Sequence, residues 1–134
     1  MAKLSDETLT KKAESMLEQA YLPYSKFPVG AALLTKEGEV YTGCNIENAS
    51  YPLSICAERT AFFKAVSEGK FEFEKLVVTG ATEGPISPCG ACRQVMAEFC
   101  DPDMPVILTN THGHVYETTV AGLLPGAFTN KDMV

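Results

Sequence analysis

Apolar residues recur at Leu9, Ala13, Met16, Leu17 and Ala20, the three- and four-residue spacing of one helix face. That pattern predicts a first helix from about Ser5 to Tyr21. Ser5 is suited to cap it, Asp6 and Glu7 stand at the positive end of its dipole, and Leu4 and Leu9 are spaced as a hydrophobic staple. Pro23 is expected to end it. The pattern then shortens. VGAALLT and EVYTGC are strand-like runs on either side of KEG, which reads as a hairpin turn. The polar loop NIENASYPL follows.

Two further helices are expected to begin alike. SICAERTAFFKAVSEG starts at Ser54 and stops at Gly69. SPCGACRQVMAEF starts at Ser87, with Pro88 at the favoured first helical position. In each, a cysteine comes two residues after the expected capping serine. KLVVTGA between them reads as a buried strand. PVILTN and HVYETTV read as a last pair of strands around a THGH turn, and a short helical AGLLP follows. The order α-β-β-α-β-α-β-β-α predicts an α/β fold, a five-stranded mixed sheet with helices on both faces in three α-β-α layers.

Composition narrows the function. The 134 residues suit one domain over 1–134, and 46% hydrophobic with 21% charged residues is an ordinary globular balance. No apolar run approaches the roughly 20 residues of a membrane span, and MAKLSDETLT lacks the apolar core of a signal peptide. The chain reads as soluble and cytoplasmic. Its net charge of −6, without a Lys/Arg cluster, argues against a polynucleotide partner and favours a small ligand. Five cysteines, an odd number, argue against a disulfide framework in that compartment.

Three of the cysteines belong together. Cys56 and Cys89 each fall in the first turn of an expected helix, where unpaired N–H groups and the dipole favour a thiolate. Cys92 shares a helix face with Cys89. Three thiolates at two converging helix starts make a plausible tetrahedral zinc site, and three protein ligands leave the fourth position for water. Glu58, two residues after Cys56, is the matching acid–base group. Residues at i and i+2 point nearly opposite ways in an ideal helix. The pair works only if Cys56 reaches back from the helix start while Glu58 faces the pocket.

CAE followed at a distance by PCGAC matches the zinc deaminase signature. FPVGAALL, GCNIENASYP, CAERTA, SPCGACRQV and LLPGAF extend the likeness over nearly the whole chain. The sequence resembles the small, all-cysteine cytidine deaminases. The resemblance implies that Cys56, Cys89 and Cys92 hold one zinc per chain. It implies that Glu58 moves a proton from water to N3 of a cytosine ring, whose C4 is attacked and loses ammonia, so that cytidine or deoxycytidine becomes uridine or deoxyuridine in pyrimidine salvage. It implies that Asn45 and Glu47 hold the ribose hydroxyls, that Phe27 lies on or beside the pyrimidine, and that backbone groups of Ala57 and Ser87 read the base edge. Phe128 is implied to reach the ring from a neighbouring subunit of a homotetramer. Three thiolates outweigh the charge of zinc, and Arg59 is placed to offset this by donating to Cys89 or Cys92.

Plainer readings stand beside these. CGAC alone has thioredoxin-type spacing and reads equally as a redox pair. A structural zinc module would need a fourth protein ligand, and no well-placed candidate appears. A deaminase of another cytosine nucleoside, of the blasticidin S type, is the rival enzyme. Cys44 and Cys100 read as buried small hydrophobes. His112 and His114 read as exposed turn residues, with a second metal site as the alternative. Tyr24 and Tyr51 are near enough in sequence to line the pocket.

Overall fold

A computed structural model of the chain describes residues 4–133. The first three residues and the last one of the expected 1–134 domain lie outside the described residues. Among the described residues, nine α-helices and β-strands appear in the expected order: α1 (Asp6–Ser15), β1 (Val29–Thr35), β2 (Val40–Cys44), α2 (Ala57–Ser67), β3 (Phe73–Gly80), α3 (Gly90–Phe99), β4 (Pro105–Thr109), β5 (Val115–Thr119) and the one-turn α4 (Val120–Leu123). The strands form one mixed sheet in the order β2-β1-β3-β4-β5. Only β3 and β4 run parallel, because α3 crosses over between them; the other neighbours are antiparallel.

Alternation along the strands fills both faces. Leu33, Leu76, Val78, Val106 and Leu108 pack with Ala61, Phe62 and Met96 on the side of α2 and α3. Ala32, Leu34, Val77 and Ile107 pack against Leu9 and Ala13 of α1 on the other. The five-stranded, three-layer expectation therefore holds. So do the Ser5 cap, whose hydroxyl accepts from the Thr8 N–H at 3.1 Å, and the KEG turn, closed by a Gly38 N–H bond to the Thr35 carbonyl.

The structure corrects three helix boundaries. The α-helical part of the first helix stops at Ser15 and a 3-10 turn carries it to Gln19. Tyr21 is extended, exchanging bonds with the Asn45 carbonyl and the Glu47 N–H at 3.1 and 2.9 Å, so long-range pairing ends the helix before Pro23. Nor do the second and third helices begin at Ser54 and Ser87. Ile55 exchanges two backbone bonds with Ile46, and the Ser54 hydroxyl accepts from the Asn48 N–H. Ser87 lies outside the helix ahead of Pro88, in keeping with the bias of a residue before proline away from helix, and its hydroxyl accepts from Arg93. Pro88 consequently lies outside the helix. Cys56 and Cys89 are themselves the N-cap residues.

Candidate active site

Those later helix starts decide the geometry of the cysteines. Cys56 has extended dihedrals (φ −80°, ψ 157°), so it stands outside α2 while Glu58 sits inside the first turn. The i, i+2 conflict disappears because the two residues do not share a helix. Cys89 is likewise extended (φ −70°, ψ 165°), and Cys92 lies one turn into α3. Glycine brings α2 this close to the sheet: a Cβ on Gly43 of β2 would collide with the backbone of Ala57 and Ala61. The Thr60 hydroxyl then binds the carbonyls of Cys44 and Cys56, both at 3.1 Å, tying the helix start to β2.

The sulfurs of Cys56, Cys89 and Cys92 all lie within 4.8 Å of one another. Cys56 and Cys89 are 3.6 Å apart, Cys89 and Cys92 3.4 Å. Tetrahedral zinc with metal–sulfur distances near 2.3 Å needs ligand sulfurs roughly 3.8 Å apart. The donor type, number and spacing fit that metal. Among the described residues no other cluster of three or more metal-ligating side chains appears.

Electrostatics at the cluster follow from hydrogen bonding and burial. The Cys56 thiol is pushed down to about 5, mainly by hydrogen bonding with Cys92, with Arg59 and Cys89 adding to the effect. Cys92, fully buried, is correspondingly raised. Glu58 is 4% exposed, and desolvation with the nearby Cys56 charge lifts its carboxyl to about 7. Arg59 Nη2 donates to Cys56 Sγ at 3.4 Å. Beside the expected Cys92, Arg59 thus also bonds Cys56, the N-cap residue three positions before it. Cys92 adds a lesser contribution to the raised guanidinium pKa.

A cleft of about 750 Å³ opens above the cluster. Cys56, Cys89, Glu58 and Arg59 line it together with Ala57, Ser87, Phe27, Asn45 and Glu47. Asn45 and Glu47 also brace that lining. The Asn45 amide bonds the Val29 N–H at 2.9 Å and the Phe27 carbonyl at 2.7 Å. One Glu47 oxygen accepts from the Tyr24 and Ser25 N–H groups, and hydrogen bonding with Ser25 holds its carboxyl below the usual range. Tyr51 lines the cleft; Tyr24 joins it only through an edge-on ring contact, 6.0 Å between centroids.

Phe128 is not part of this cleft. Its carbonyl accepts from Gln94 Nε2 at 2.7 Å and the residue is 61% exposed. Cys44 is buried, as expected, and Cys100 is only half-buried. His112 and His114 are exposed in their turn, where Asn110 Oδ1 accepts both backbone N–H groups. Sequence reasoning missed Arg93, whose side chain bonds Ser87, Pro88 and Leu123. Its one visible signal was its place directly after Cys92.

The comparisons with known proteins agree with this geometry. A family model, the cytidine and deoxycytidylate deaminase zinc-binding region, matches residues 3–108. The chain belongs to the cytidine deaminase family. A cytidine deaminase from Sporosarcina psychrophila is 62% identical over 127 residues, which cover 95% of this chain and 93% of that protein. One from Halalkalibacterium halodurans is 57% identical, covering 95% and 96%. The crystal structure of a cytidine deaminase from Burkholderia pseudomallei superposes with a TM-score of 0.91 at 52% identity, covering 93% of this chain and all of that one. A blasticidin-S deaminase from Bacillus cereus is a more distant relative, 30% identical over 133 residues. In this fold Cys56, Cys89 and the buried Glu58 line one cleft, and Cys92 completes the three-sulfur cluster from beneath the surface.

Proposed function

We propose that this chain hydrolyses cytidine and deoxycytidine to uridine and deoxyuridine, releasing ammonia. One observation carries the reading: Glu58, nearly fully buried and poised near neutrality, lines a nucleoside-sized cleft together with Cys56 and Cys89 of the three-sulfur cluster. Cys56, Cys89 and Cys92 would hold one zinc per chain. When bound, the metal supplies the Lewis acidity that activates water near neutral pH. Glu58 accepts the proton of the attacking water and delivers it to N3 of the ring. It then takes a second proton, from the hydroxyl now on C4, and passes it to the amino group, which leaves as ammonia while C4 becomes a carbonyl, its pKa matched to both directions of transfer. Burial keeps bulk water from competing for that proton.

Phe27 provides an apolar wall for the pyrimidine. Asn45 and Glu47 keep acceptor capacity toward the cleft for ribose hydroxyls, which would discriminate against the bare base. Backbone groups of Ala57 and Ser87 border the cleft and can read the base edge. Arg59 offsets the excess negative charge of three thiolates. The exposure of Phe128 outside its own cleft supports its role in a neighbour's site within a homotetramer. We further propose that the whole chain acts as one domain in the cytoplasm, in pyrimidine salvage, on free nucleosides rather than polynucleotides. No helix of the described residues is long and apolar enough to cross a membrane.

Turnover of cytidine against blasticidin S tests the substrate, since the aromatic Phe27 and the paired Asn45 and Glu47 favour a ribonucleoside. Preference for blasticidin S would replace this reading. Size-exclusion chromatography tests the assembly: an active monomer contradicts a role for Phe128 in a neighbouring site.

A further inference from the structure

Arg93 lies one turn into α3 and turns back toward the helix start. Each nitrogen of its guanidinium has a different acceptor: Nε donates to the Pro88 carbonyl at 2.9 Å, Nη2 to the Ser87 hydroxyl at 2.7 Å, and Nη1 to the Leu123 carbonyl at 2.8 Å. The Arg93 N–H closes the first helical bond, to the Cys89 carbonyl at 3.1 Å. Cys89 itself is exposed, and its cap position carries no side-chain hydrogen bond. The Arg93 side chain therefore ties Ser87 and Pro88 back to α3, beside its own backbone bond to Cys89, and anchors them to buried Leu123 of α4.

We propose that Arg93 is a positioning residue of the reaction: by clamping Ser87, Pro88 and Leu123 together it fixes the turn that presents Cys89 to the metal and Ser87 to the cleft. The fork geometry matters. Three divergent acceptors match the planar guanidinium, whereas a lysine ammonium is a single point that cannot span them. The proposal rests on the zinc-dependent reading above.

The test compares Arg93→Lys, Ser87→Ala and the wild type, all as zinc-loaded full chains. Leu9→Ala serves as a control that lowers stability from the opposite face of the sheet. The readouts are the rate of zinc transfer to a chromogenic chelator, the thiolate charge-transfer band after cobalt(II) substitution, and kcat and KM for cytidine. Arg93→Lys is expected to release zinc about 10- to 100-fold faster, the usual loss when a partner behind a metal ligand is removed. Its cobalt band shifts, and kcat falls more than KM rises. Ser87→Ala, which removes one of three contacts, is expected to release zinc about fivefold faster, the worth of one ordinary hydrogen bond. Release from Arg93→Lys at the wild-type rate, or no faster than from Leu9→Ala, overturns the proposal. Should Arg93→Lys not fold, wild-type release from Ser87→Ala overturns it instead. If the wild-type chain fails to turn over cytidine, the functional reading falls while the zinc-release comparison still decides the role of Arg93.

Discussion

The Arg59 guanidinium lies 3.4 Å from the Cys56 sulfur, on residues three apart at the start of α2. The cap position of Cys56 makes this possible, since a cysteine inside the helix would turn its sulfur elsewhere. Three thiolates carry one charge more than zinc neutralises, and a donor on one sulfur withdraws part of that excess. Arg59→Ala is therefore expected to weaken zinc binding by about 10- to 100-fold and to lower turnover, with the fold retained. Chelator competition and a cytidine assay check it. Wild-type values of both would remove Arg59 from the site.

The cysteines separate by environment, and the metal-stripped protein should show it. Cys56 is pushed down to about 5, whereas burial pushes Cys100 up to about 12 and raises Cys44. Only the thiolate is a nucleophile. At pH 6.5, iodoacetamide is expected to label Cys56 far ahead of Cys44 and Cys100, with the Cys56 rate falling as pH drops through about 5. Zinc should protect Cys56. Peptide mapping by mass spectrometry reads all three sites, and equal labelling would contradict the electrostatic account.

Glu58 leaves a signature in stability. Its folded pKa, about 7, stands above the ordinary value of 4.5 because burial disfavours the charge. A carboxyl raised on folding gives stability that is fully present below its unfolded pKa and is lost as pH rises through its folded pKa. Glu58→Gln cannot ionise. Without metal, the melting temperature of Glu58→Gln minus that of wild type should therefore increase between pH 4.5 and 7 and then level off. Taking the difference cancels groups common to both proteins. A flat difference would mean that Glu58 does not titrate in this range.

Gly43 and Gly30 make parallel demands with different consequences. A Cβ on Gly43 meets the backbone of Ala57 and Ala61 in α2, and one on Gly30 meets the Ala13 carbonyl of α1. Either alanine is expected to cost about 1–3 kcal/mol by overpacking. Only Gly43→Ala displaces the helix start that carries Cys56 and Glu58, so it alone should speed zinc release. Denaturant melts and chelator kinetics separate the two effects. Equal zinc release from both variants would sever the link between the Gly43 approach and the site.

The strands were legible because each sheet face is filled by alternating apolar residues, as in VGAALLT and PVILTN, and the turns between them carry their own signals. The grouping of Cys56, Cys89 and Cys92 was legible from spacing. The helix starts were not. Ser54 and Ser87 are good caps by local preference, yet the bonds of Ile55 to Ile46 and of Ser87 to Arg93 hold both residues outside the helices. Those non-helical contacts make cysteines the cap residues and bring Glu58 to the pocket. For the same reason Arg59 meets Cys56 as well as Cys92, and Arg93 showed no sign of its three partners in the sequence.

Zinc reconstitution with Glu58→Gln alongside tests the central claim most directly. The wild-type chain, stripped of metal and titrated with zinc, should regain cytidine turnover in step with zinc bound and plateau at one ion per chain. Glu58→Gln should take up the same zinc and lose about 10²- to 10⁴-fold in kcat. Turnover without metal, a zinc-loaded wild type that leaves cytidine unchanged, or near-normal turnover by Glu58→Gln would contradict the account.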